Sequence, residues 1–121
     1  MIKVTLDTNV LVSGTFWTGE SFKILEAVNN KEVINVTSNE IIEEFKEICF
    51  REEILDKTNK TIFSISRSIE KIASISVIVF PSEHFNVIED DDDNKVIDAA
   101  VEGRVDYIVT YDKSPFDTKR V

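Results

Sequence analysis

Crosslinks and long apolar runs are scarce in this sequence, and each shortage removes a class of protein. A single cysteine, Cys49, stands among 121 residues. No intramolecular disulfide can form, so the fold does not depend on an oxidising compartment and a cytoplasmic location is expected. No apolar stretch approaches the ~20 residues needed to cross a bilayer, so no membrane partner is expected. Met1 leads into the alternating segment Ile2-Lys3-Val4-Thr5-Leu6-Asp7, which lacks the basic start and apolar centre of a secretory signal. The sole histidine, His84, has no nucleophile near it in sequence, so a surface or turn role is expected. There is no internal repeat, no linker and no low-complexity segment apart from one acidic run. What remains, at 42% hydrophobic content, is enough for one core in one compact domain.

Positive charge is also in short supply. Lysine and arginine number 14 against 23 aspartates and glutamates, a formal charge of −9. Taken at face value this opposes a nucleic-acid partner, because carboxylates repel phosphates. The acid is not spread evenly, however. Residues 89–93, Glu-Asp-Asp-Asp-Asp, hold five negative charges in succession, and a bound divalent cation would offset such a cluster locally. The remaining excess serves solubility, or leaves a partner subunit to help supply affinity for nucleic acid.

Ile2, Val4 and Leu6 alternate with Lys3 and Thr5, the period of a strand, and Asp7 stands at its carboxyl end. Residues 21–29 place Phe22, Leu25 and Val28 at helical spacing behind Ser21 as a cap, and residues 33–36 form a second strand. Thr37 and Glu40 match the capping-box spacing, and Ile41, Ile42, Phe45 and Ile48 predict a helix over about residues 38–50. Ile62, Ile65, Ile69 and Ile72 mark another helix, leading into a β-branched third strand over residues 75–80 that Pro81 closes. Residues 93–101 predict a helix with Val96, Ile97, Ala100 and Val101 on its apolar side, ended by Gly103. A fourth strand follows over residues 105–110, with Asp112 just past its end. Strands alternating with helices imply a parallel α/β sheet with helices on both faces. In such sheets sites form beyond the carboxyl ends of the strands, where Asp7 and Asp112 fall.

Carboxylates gathered there would repel one another, by roughly 4 kcal/mol for two unit charges 4 Å apart at an effective dielectric near 20. A fold that collects several at one edge therefore suggests a hard cation with oxygen ligands, Mg²⁺ or Mn²⁺. Asp7 is the first candidate, with Thr8 and Asn9 placed to orient it, although an aspartate at that point also serves as an ordinary cap. Glu40, Glu43 and Glu44 form the second group. Glutamates on a helix are usually a solvated face, and the helix dipole alone accounts for Glu40, but Glu44 lies beside Phe45 and one turn from Ile41, at the edge of the core. In the acidic run at least three residues read as solvated loop, whereas Asp93 opens a helix and Asp90 caps the turn or adds a ligand. Thr110 and Asp112, directly after a strand, suit the positioning of a metal and water.

These segments resemble the PIN-domain family, particularly the toxin components of toxin-antitoxin pairs. The resemblance rests on Val4-Thr5-Leu6-Asp7-Thr8-Asn9-Val10, Ser38-Asn39-Glu40-Ile41-Ile42-Glu43-Glu44-Phe45, residues 90–100, and Asp106-Tyr107-Ile108-Val109-Thr110-Tyr111-Asp112, in the family's order. It implies a single PIN-like domain over residues 1–121, a sheet of four to five parallel strands, and Mg²⁺- or Mn²⁺-dependent cleavage of single-stranded RNA. Carried over by position, the metal-site and catalytic carboxylates are Asp7, Glu44, Asp93 and Asp112, supported by Asn9, Asp90 and Thr110. The implied partners are RNA, an antitoxin protein covering the acidic pocket, and a second copy of the chain. Two features depart from the pattern. Tyr111 stands where glycine is frequent and narrows access. The nine residues after Asp112 leave no clear room for the family's final strand and helix, so either the sheet is one strand short or the chain is truncated.

Several other residues read as ordinary. Cys49 is expected to be a small buried side chain on a helix. Trp17 covers the core edge or stacks on a base, and Lys95, Lys113, Lys119 and Arg120 serve solubility or touch phosphate. Two rival functions stand beside the nuclease. One is a PIN-fold module with weak or no turnover that binds RNA or protein, which the short tail favours. The other is a receiver or phosphatase-like domain, opposed by Asp7-Thr8-Asn9, which lacks the second aspartate of an aspartyl-nucleophile phosphatase.

Overall fold

A computed structural model describes residues 1–85 and 91–111, with the backbone alone for residues 91–93. The described elements run β1 (Lys3–Leu6), α1 (Thr8–Phe16), α2 (Glu20–Asn29), β2 (Ile34–Ser38), α3 (Asn39–Cys49), α4 (Glu52–Thr58), α5 (Ile62–Ile75), β3 (Val77–Val79), α6 (Asp91–Gly103) and β4 (Tyr107–Val109). The four strands form one parallel sheet in the order β3-β2-β1-β4.

That order fixes where the helices lie. The chain steps from β1 to β2 to β3 in one direction, and right-handed crossovers put α1 to α5 on one face. The step from β3 back across the sheet to β4 reverses direction and carries α6 to the other face. Val4 and Leu6 join Leu11, Ile41, Phe45, Ile65, Ile69 and Ile72 in the larger cluster, which Val96 and Ala99 of α6 also enter, whereas Val36, which alternation turns the other way, packs on Ala100 and Val105. Phe45, Leu6, Leu11, Ile41 and Ile65 have no exposed surface; each such side chain contributes about 1.5–3 kcal/mol relative to leaving it in water.

Asn35 ends the ladder between the two central strands. Even-numbered residues of β1 face β2: Ile34 N–H donates to the Ile2 carbonyl at 3.0 Å. The Leu6 N–H, next in that series, instead donates to the Asn35 side-chain oxygen at 3.1 Å, and the Asn35 amide donates to Ser76 Oγ at 2.9 Å. The carboxyl half of β2 then pairs with β3, Ser38 opposite Val79.

Several local expectations shift. Thr37 does not cap α3: it stays in β2, with its hydroxyl buried and no partner found for it among the described residues. Ser38 is the cap, accepting from Ile41 N–H at 3.3 Å. Ser21 is not the cap of α2 either, since Gly19 occupies that place and Ser21 lies inside the helix, buried. Ile75 closes α5 instead of opening β3, and Val105 is buried ahead of β4. On α6 the buried positions are Asn94, Val96, Asp98, Ala99 and Ala100, while Val101 is exposed. Residues 8–16 form a helix that no stripe announced, because Thr8, Val10, Leu11, Val12 and Gly14 are buried around most of its circumference.

Gly14 lets α1 and α2 approach. A Cβ there would meet Leu25 Cδ1 at 2.4 Å and the Ser21 carbonyl at 2.8 Å. Gly14→Ala is therefore expected to lose about 1–3 kcal/mol through overpacking, read as a fall in urea midpoint at unchanged slope. A gain, the usual result of replacing a helical glycine with alanine, would show that the helices do not meet there. Cys49 is fully buried, and burial pushes its thiol up to about 12. A disulfide reagent should label it only at the rate of native-state opening; immediate labelling of native protein would contradict its placement in the core.

Candidate functional site

The strand order reverses between β1 and β4, and Asp7 and Thr110 follow the carboxyl ends of those two strands. A parallel sheet opens a crevice at such a point. Asp7 is held there from several directions. Its N–H donates to the Val109 carbonyl of β4 at 3.0 Å, and its carbonyl accepts from Leu11 N–H at 3.1 Å. Its Oδ1 caps α1 by accepting from Val10 N–H at 2.9 Å. Its Oδ2 accepts from the Thr110 hydroxyl. The side chain is thus both cap and candidate ligand. Only 5% of the residue is exposed, and the positive end of the α1 dipole lies against its charge.

A cleft of about 860 Å³ opens beside it, lined by Asp7, Thr8, Asn9, Glu40, Glu43, Glu44 and Lys95 among others. Glu44 comes from the second turn of α3 and Lys95 from the first turns of α6, so the cleft joins both faces of the sheet. The Thr8 hydroxyl donates to Glu44 Oε1 at 2.5 Å. Lys95 Nζ lies 3.7 Å from Glu44 Oε2, with the Glu44 side chain 12% exposed and that of Lys95 35%. Thr8, expected to orient Asp7, therefore orients Glu44 instead. Asn9 lines the cleft and is exposed. Asp93 lies in the first turn of α6; Asp90 and Asp112 lie outside the described residues. Among the described residues no three of the His, Cys, Asp and Glu side chains cluster as a metal site. Asp7 and Glu44 are the two expected carboxylates whose side chains the structure brings to one cleft. Their chemistry, hard oxygen donors without imidazole or thiolate, fits Mg²⁺ or Mn²⁺.

Tyr111 does not stand over this cleft. Its hydroxyl bonds to Ser21 and lies 3.4 Å from that of Ser13, tying the chain after β4 to α1 and α2. These hydrogen bonds, Ser13 first and Ser21 second, hold the phenol below its ordinary value of 10.0.

Asp98 was missed by sequence reasoning. It is 6% exposed; its Oδ1 accepts from Phe85 N–H at 2.6 Å, and its Oδ2 lies 3.0 Å from His84 Nδ1. The carboxylate anchors the segment after β3 to the middle of α6. An aspartate inside the apolar stretch Val96-Ile97-Asp98-Ala99-Ala100 was the available signal. His84 keeps its expected surface position, with its side chain 74% exposed.

A parallel α/β domain with carboxylates lining a cleft at its topological switch point defines a class of protein, and comparison identifies it. The PIN domain family model matches residues 3–114; the chain belongs to the PIN-domain family, a nuclease-type fold whose members are generally nucleases. An uncharacterized protein of Methanocaldococcus jannaschii, MJ1680, is 35% identical over 116 residues, covering 93% of this chain and 72% of that protein. No solved structure matches the chain.

The dual role of Asp7 has a measurable consequence. Asp7→Ala should cost about 1–2 kcal/mol through loss of the cap, while Asp7→Asn, which keeps a capping oxygen, should cost less than half as much. Equal losses in urea denaturation would mean that charge, not capping, is what Asp7 contributes to stability.

Proposed function

We propose that this cleft is the active site of a Mg²⁺- or Mn²⁺-dependent endoribonuclease that cleaves single-stranded RNA in the cytoplasm, acting as the toxin of a pair whose antitoxin covers the acidic pocket. The observation that carries this reading is the buried Asp7 carboxylate, fixed where the strand order reverses, in one cleft with Glu44. Family membership supplies the reaction class.

In this reading Asp7 and Glu44 hold the ion together with Asp93 and Asp112, and Asn9, Thr110 and Asp90 support them. When bound, such an ion lowers the pKa of a water and offsets charge on the scissile phosphate. The chain's own part is positional. Val10 N–H and the Thr110 hydroxyl fix the carboxylate of Asp7, and Thr8 fixes Glu44, so little ordering is left for the moment of reaction. The excess of negative charge is consistent with a site that binds phosphate through a cation and with solubility supplied elsewhere.

The test is cleavage of single-stranded RNA with Mg²⁺ or Mn²⁺ by the native chain, Asp7→Asn and Asp93→Asn. Loss of several kcal/mol of metal assistance corresponds to a fall of about 10²–10³-fold in rate. Native-like cleavage by Asp7→Asn would sink the proposal. Binding without cleavage by the native chain would instead assign the fold to an interaction module.

A further inference from the structure

We propose that Lys95 is a built-in competitor for the metal site: its ammonium pairs with Glu44 while no divalent ion is bound, and passes to the RNA backbone when an ion takes Glu44. The inference rests on the nuclease reading above and adds a coupling between metal and RNA that the reading does not contain.

Asp7 and Glu44, two of the carboxylates that line the cleft, meet different donors. Both oxygens of Asp7 accept from neutral groups that belong to the fold itself, a helix N–H and the Thr110 hydroxyl. Glu44 accepts from Thr8 through Oε1, but its Oε2 faces a cation, Lys95 Nζ, at 3.7 Å. A divalent ion that uses Glu44 must therefore contend with an ammonium already beside it. Two cations sharing one carboxylate repel each other, so binding of one would weaken the hold on the other.

Lys95 is also able to leave. Its side chain is a third exposed while Glu44 is nearly buried, and a lysine carries its charge on a flexible four-carbon stem. It lines the same cleft as Asp7, so an ammonium displaced from Glu44 stays within a space where a phosphodiester would lie beside the ion. Released there, it would add one phosphate contact that the metal-free protein withholds. Metal would strengthen the grip on RNA, and by thermodynamic reciprocity RNA would strengthen the grip on metal. For a chain with a charge of −9, such coupling supplies a positive contact only when the acidic site is already neutralised.

Lys46 lines the same cleft from α3 and serves as the control for charge alone. Mn²⁺ binding by calorimetry, and binding of a short single-stranded oligodeoxynucleotide as a backbone probe, would be measured for the native chain, Lys95→Gln, Lys95→Arg and Lys46→Gln. Without the oligonucleotide, Lys95→Gln should bind Mn²⁺ about three- to fivefold tighter, the size expected of a partly exposed ion pair. Lys46→Gln should change Mn²⁺ affinity by less than Lys95→Gln, and Lys95→Arg should stay near native. The factor by which Mn²⁺ tightens oligonucleotide binding should shrink in Lys95→Gln. Unchanged or weaker Mn²⁺ binding by Lys95→Gln, or a gain matched by Lys46→Gln, would overturn the competitor role and leave the nuclease reading standing. Failure of the native chain to bind Mn²⁺ at all would overturn both.

Discussion

The site depends on where one carboxylate is held. Asp7 ends β1, caps α1 through Val10 N–H, and receives the hydroxyl of Thr110 from beyond β4. Its backbone meanwhile continues the β1–β4 ladder by donating to Val109. A charge with so little exposure would be costly if unsatisfied. Here the donors are supplied by the same strand and helix ends that make up the switch point, so building the fold and orienting the carboxylate are one event. The ordinary reading of Asp7 as a cap and the functional reading as a ligand are therefore compatible. The cap is what gives the candidate ligand a fixed direction.

The rest of the cleft follows from how the sheet ends. Asn35 takes the Leu6 N–H with its side chain and closes the β1–β2 ladder, and the remainder of β2 pairs with β3 before Ser38 starts α3. Because α3 begins at once after β2, its second turn carries Glu44 to the carboxyl edge of the sheet, within reach of Thr8 at the start of α1. Lys95 reaches the same point from α6 on the opposite face. Three separate crossovers thus deliver their polar groups to a single opening, and a parallel sheet gives them no other common place to meet.

Much of this architecture was legible because it is written in periodicity. The period-two run before Asp7, the isoleucine stripe of residues 62–72 and the β-branched strand near residue 78 fixed a parallel α/β order, and the family resemblance fixed the expected carboxylates. What escaped had specific causes. The helix at residues 8–16 is buried nearly all round, so it shows no polar face to set its period. Thr37 and Ser38 both suit a cap, and only strand pairing with Ile78 decides that Thr37 remains in β2. The partner of Thr8 could not be foreseen, since a hydroxyl next to Asp7 gives no hint that it turns 36 positions away to Glu44. Asp98 stands among apolar neighbours that dominate the reading of its helix, and its burial serves the segment after β3 and not the cleft.

The unequal treatment of Asp7 and Glu44 is the feature that sequence alone would never show. A residue fastened by neutral backbone and hydroxyl donors keeps its position whatever cation is present, because those donors belong to the folded chain. A residue fastened partly by a lysine side chain is held by a group that can be exchanged for another positive charge. Asp7 thus accepts from donors of the fold itself, and Glu44 accepts from Thr8 and lies beside the ammonium of Lys95. Gathered carboxylates repel one another, and the partly exposed Lys95, 3.7 Å from Glu44, offsets part of that charge from a position where an ion pair contributes little.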